Sequence, residues 1–171
     1  DQRLVQILIS KNKLSDAENR IKEAKGSKEQ KQYENLLAEK EGNEMELKEI
    51  ERDIFHHFSV LEKALKKYSK IAFENEKLIE KYLNDPINAF AKDYSLEIIK
   101  ILANLSRAIE DNKLELDQRK NERALGKIKG LGKEYFLDLK ERYNGILERI
   151  GRINSETENN DAKRQLDDCN K

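Results

Sequence analysis

A single proline, Pro86, stands near the middle of 171 residues whose apolar side chains otherwise recur at helical spacing. Proline redirects a helix because it has no backbone N–H and clashes with the preceding turn. The stretch Asn84-Asp85-Pro86 through Ser95 therefore reads as an apex, with arms 1–83 and 96–171 of similar length on either side. Asp85 is a favourable N-cap, and proline suits the first helical position. This predicts a short helical turn over 86–92, with Asp93 or Ser95 capping the helix that follows.

The arms carry the periodicity of packed helices. Phe58, Leu61, Leu65, Tyr68, Ala72, Asn75, Ile79 and Tyr82 step by three and four, as the a and d positions of a coiled-coil seam do. Ile98, Leu102, Leu105, Ile109, Asn112 and Leu116 form a second such seam. Asn75 is the polar member of the first, a residue type that sets register or partner number. Nearer the N-terminus, Leu14, Ala17, Ile21 and Ala24 form one further stripe. Gly26-Ser27 and Gly42-Asn43 read equally as helix stops with restarts, or as positions inside one long helix.

Composition narrows the architecture. Charged residues make up 40% and apolar ones 37%, too little for a thick core but enough for a seam between helices. The regular spacing argues against disorder, the other outcome of such polarity. Lys plus Arg balance Asp plus Glu at 34 each, so the chain lacks the basic excess of a dedicated nucleic-acid binder. Cys169 is the only cysteine, which excludes an intrachain disulfide and a Cys-x-x-Cys site. No apolar run is long enough to span a membrane. The chain begins at Asp1 rather than Met, as a fragment does, and the expected location is cytoplasmic.

An antiparallel hairpin about the apex would bring Leu65 to Leu116, Ala72 to Ile109 and Ile79 to Leu102. Further out, Ile50 would meet Leu131 and Leu47 would approach Tyr135. Charge agrees: residues 39–53 hold seven acids and three bases, and residues 119–133 hold six bases and one acid. One region does not fit. Seven of the eleven aromatics lie between Phe55 and Tyr94, more than a two-helix seam covers. In this register Phe55, Phe58 and Leu61 face polar positions near 120–126. Burying a large apolar side chain contributes about 1.5–3 kcal/mol, so these residues must find other cover.

The expected fold is therefore all-α: a long antiparallel coiled-coil hairpin with a thicker helical bundle around the apex. Its segments are an N-terminal arm over 1–53, a distal bundle over 54–116 with the turn at 84–95, a C-terminal arm over 117–153, and a polar, frayed tail over 154–171. Either a third helix thickens the bundle, or two chains join as a four-helix assembly; dimerisation is the preferred expectation. The corresponding candidate interface is Phe55, Phe58, Leu61, Tyr68, Phe73, Asn75, Phe90 and Tyr94.

Little in the chain points to catalysis. His56 and His57 are adjacent, so they point about 100° apart on a helix and cannot chelate one metal together. No Glu-x-x-His accompanies the many carboxylates. Gly126 to Lys133 is glycine-rich and basic, but its spacing is not that of a P-loop and no strand precedes it. Arg119, Lys120, Arg123, Lys127, Lys129 and Lys133 form a candidate phosphate or DNA patch, partly neutralised by acids of the other arm. No catalytic residue, cofactor or metal is expected.

The two seams about an apex make the chain similar to the arm segments of SMC-type chromosome-organising and DNA-repair ATPases. It has no Walker motif, and Asn84-Asp85-Pro86 stands where a Cys-x-x-Cys hook would be. The expected function is a non-catalytic structural or protein-interaction module. Its partner is a second copy of itself or another helical protein. The alternative that the resemblance implies is an arm of a larger DNA-organising ATPase.

Overall fold

A computed structural model describes residues 2–169. Among these residues the fold is all-helical, with six helices: α1 (Gln2–Ser69), α2 (Glu76–Asn84), α3 (Pro86–Lys92), α4 (Ile98–Glu110), α5 (Gln118–Gly130) and α6 (Lys133–Cys169). Gly26 and Gly42 both lie inside α1, so the helix continues through them. A helical glycine costs about 1 kcal/mol relative to alanine, which 68 residues of propagation absorb. The polar tail expected from residue 154 is helical as far as Cys169. Positions 170 and 171 fall outside the described residues. None of the described helices is long and apolar enough to cross a membrane.

The chain divides into two compact units, one of residues 44–148 and one of residues 1–43 with 149–171. In the larger unit, α1 contributes Ile50, Ile54, Phe58, Leu61 and Leu65, all buried and spaced by three or four. Also buried in this unit are Ile79 and Tyr82 of α2, Phe90 of α3, the apolar face of α4, and Phe136, Leu139, Tyr143 and Ile146 of α6. Phe58 stacks on Tyr82 with ring centroids 4.6 Å apart. Phe90 meets Tyr143 edge-on at 5.8 Å.

The proline segment folds as its sequence predicts. The Asp85 side chain accepts from Asn88 N at 3.1 Å, Pro86 opens α3, and the helix ends at Lys92. Asp93 then caps α4, accepting from Glu97 N at 2.9 Å and Ile98 N at 3.0 Å. The Tyr82 hydroxyl donates to the same carboxylate at 2.9 Å. Burial, and then the Asp93 charge, push the Tyr82 phenol far above its ordinary pKa. Lys140 of α6 is buried and donates to the carbonyls of Phe90 at 2.5 Å and Ala91 at 3.0 Å. A cation at a helix C-terminus satisfies carbonyls that have no partner within the helix. Burial lowers the Lys140 pKa, against the pull of Asp93.

The first seam is not one continuous helix. It breaks after Ser69, and Asn75 caps α2 in the left-handed region at φ 62°. The second seam ends at Glu110, and Asn112 is left-handed at φ 53°. Asparagine is one of the few side chains tolerated there, which explains both positions without any role in specifying register. The hairpin register also differs from expectation. Near the apex it holds, with the Lys67 ammonium donating to Glu115 O at 2.5 Å. Farther along, Tyr135 faces His57 rather than Leu47, a slip of ten residues (57 against 47). The connections at 111–117 and 131–132 cut the second half into three helices, and because Lys127 also lies against His57, the extra chain is taken up between Lys127 and Tyr135.

In the smaller unit, Arg152 Nη2 lies 2.8 Å from Glu39 Oε1, and Arg149 Nε donates to Asn43 Oδ1 at 2.7 Å. Ile153 is fully buried there. Every described side chain from Gln6 to Gln32 is exposed.

Candidate functional site

Five of the six basic residues singled out in the sequence lie on α5, Lys133 opens α6, and the structure adds partners from α1 and α6. Asp117 starts α5 by accepting from Lys120 N at 2.9 Å and pairs with the Lys120 ammonium. Arg119, Arg123 and Lys127 follow at intervals of four, so they share one face, about 6 Å apart along the axis. Gly126 and Gly130 flank that face, and a Cβ added at either would touch nothing within 4 Å. The backbone of α5 is thus open to close approach from the side.

Facing this surface is a groove of about 410 Å³ between α1 and α5, floored by Val60 and Leu131 and closed by the first turn of α6. His57 Nε2 lies 2.7 Å from the Tyr135 hydroxyl, and Lys127 Nζ lies 3.3 Å from His57 Nδ1. The lysine can only donate, so Nδ1 accepts and Nε2–H donates to the Tyr135 oxygen. This leaves the phenol hydrogen free to bond something else. Burial, and then Lys127, hold the His57 pKa below its usual value, while Asp53 acts in the opposite direction. Burial, with Asp53, raises the Tyr135 pKa.

The acids expected to neutralise this patch are elsewhere. Glu46 pairs with Arg142 in the larger unit, and Glu39 pairs with Arg152 in the smaller one. On α5 itself Glu122 accepts from Gln118. Among the described residues, Arg119, Arg123, Lys127, Lys129 and Lys133 make no ion pair with a carboxylate, and only Lys120 of the six does. The expected charge match between residues 39–53 and 119–133 is corrected on this point. Lys127 of α5 lies against His57, close to the expected register, and the slip that follows it sets α6 opposite the acidic stretch.

The candidate interface residues separate by burial. Phe58, Leu61 and Phe90 are covered within the chain, Leu61 and Phe90 completely. Phe58 and Leu61, expected to need cover beyond the opposite seam, are thus covered within the chain, Phe58 by Tyr82 of α2, and Phe90 packs on Phe136 and Tyr143 of α6. Tyr68 and Asn75 are half-buried. Phe55, Phe73 and Tyr94 are exposed, Phe73 wholly so. The Tyr94 ring lies 5.5 Å from the Lys140 ammonium. The pairing of His57 with Tyr135 does not stand out in the sequence, because it depends on the slipped register. Among the described residues, no three His, Cys, Asp or Glu side chains converge as a metal site. No protein-family model, curated protein or solved structure matches this chain.

Proposed function

We propose that this chain is a protein-interaction module that combines a helical bundle with an antiparallel coiled-coil hairpin of α1 and α6, the outer stretch of α1 pairing with a second copy of the chain. One observation carries the reading. Ile7, Leu14 and Ile21 recur every seven residues on α1 and are 60%, 63% and 56% exposed. Ala17 and Ala24 complete an a/d stripe that nothing in the described chain covers. A heptad stripe of this kind is the surface from which coiled coils are built.

The magnitudes favour two copies over one stripe docked on a polar surface. Covering three such side chains contributes at most about 4.5–9 kcal/mol. Association costs about 4–15 kcal/mol, so an apolar stripe is needed on both partners. In a parallel, in-register pair the flanking residues oppose Lys13 to Glu18, which attracts, and Arg20 to Lys25, which repels. The charges nearly cancel and the apolar seam decides.

Sedimentation equilibrium of the chain and of Leu14→Lys tests this. The expected result is concentration-dependent dimerisation that the substitution abolishes while far-UV ellipticity per residue in the bundle is retained. A wild-type chain that sediments as a monomer throughout refutes it, as does a dimer indifferent to Leu14→Lys.

A further inference from the structure

We infer that the groove between α1 and α5 binds a phosphate group, held by Arg123, Lys127 and the Tyr135 hydroxyl. The site is cationic and lacks a carboxylate partner: neither Arg123 nor Lys127 is ion-paired among the described residues, although Asp117, Glu122 and Glu62 lie on neighbouring turns. Those three acids are engaged by Lys120, Gln118 and Lys66 respectively. Asp53 influences His57 and Tyr135 from the α1 side.

The donors are also aligned. Lys127 donates to His57, His57 donates to Tyr135, and the phenol hydrogen is left for an acceptor in the groove. Each bond in such a chain polarises the next. Arg123 borders this groove and also the adjoining recess lined by Lys120 and Ser59, so its planar guanidinium can address an oxygen pair from either. Gly126 and Gly130 keep the α5 side free of Cβ atoms, leaving room for a tetrahedral anion against the helix. A phosphate suits this set better than a carboxylate, because it offers three oxygens to three separate donors and more charge to two cations.

The phosphate can belong to a small ligand or to a nucleic-acid backbone, whose contacts would continue along Arg119. Isothermal titration of the full chain with inorganic pyrophosphate, and separately with a short single-stranded oligonucleotide, distinguishes the two. Saturable pyrophosphate binding is expected, weakened about tenfold to a hundredfold by Arg123→Gln and by Lys127→Gln, the loss of one charge-assisted hydrogen bond each. Tyr135→Phe should weaken it to a smaller extent with the fold intact by far-UV ellipticity. An exposed-lysine control, Lys48→Gln, should leave it unchanged. Tighter binding of the oligonucleotide, falling with salt and with Arg119→Gln, assigns the phosphate to a backbone. No saturable binding of either probe overturns the inference, as does binding equally insensitive to Arg123→Gln, Lys127→Gln and Tyr135→Phe.

Discussion

Replacing Asp93 by alanine should be among the most damaging polar substitutions in the larger unit. Its carboxylate accepts from the Tyr82 hydroxyl and from two backbone N–H groups at the start of α4, and the residue is only 6% exposed. Loss of the helix cap costs about 1 kcal/mol. The Tyr82 hydroxyl, on a side chain only 1% exposed, would be left buried without its partner at a cost of about 1–3 kcal/mol. Loss of the charge-assisted bonds themselves brings the expected total to about 3–5 kcal/mol, a large share of a domain's usual stability. Tyr82→Phe removes one bond, leaves the cap, and should cost about 1.5–3 kcal/mol. In the Tyr82→Phe background Asp93→Ala should cost only the cap, so a double-mutant cycle should show coupling of about 1–3 kcal/mol. Urea unfolding followed by far-UV ellipticity measures each corner, with midpoints shifting at constant slope. A cost below about 1 kcal/mol for Asp93→Ala, or one that Tyr82→Phe does not change, would refute the network as described.

Other outcomes follow from burial and charge. Phe58→Ala should destabilise the chain by about 3–5 kcal/mol, whereas Phe55→Ala should stay within about 0.5 kcal/mol, with thermal melts as the readout. His57 has a lowered pKa in the fold, so its contribution is complete above its unfolded value of about 6.5 and declines as pH falls through that value. Urea midpoints at about pH 7.5 and pH 5.5 should show this fall, and His57→Gln should reduce it. Tyr82 titrates above its unfolded value of about 10, so stability should decline as pH rises past 10, and Tyr82→Phe should lack that component. Lys25→Glu turns the repelling flank pair into an attracting one and should tighten dimerisation about two- to fivefold by sedimentation.

Local chemistry is legible in the sequence where one short stretch contains both partners. Asp85 and Pro86 mark the start of α3, and Asp93 marks the cap of α4, because a cap and its N–H groups lie within five residues. The glycine pairs leave the helix ends open for a physical reason: an exposed glycine costs too little to stop a helix and too much to ignore. Asn75 and Asn112 mislead because they fall in step with the seams, and spacing alone does not separate a polar seam residue from a left-handed turn. The excess of aromatics from Phe55 to Tyr94 demands more cover than a two-helix seam gives. It does not reveal that the covering side chains, Phe136 and Tyr143 among them, lie in the same chain. Arg123 and Lys127 are visible as a patch. His57 and Tyr135 are not, since they are 78 residues apart and meet only through the slip.

The place where the chain takes up its surplus length has a consequence for its tolerance of change. Because α5 lies between two non-helical connections, adding or removing a residue in either connection leaves the facing surfaces of α1 and α6 as they are. A one-residue insertion between Tyr135 and Arg142 would instead swing every later α6 side chain through about 100° and carry Arg142 away from Glu46. Length variation among descendants of this sequence should therefore collect around α5, and be purged from the first turns of α6.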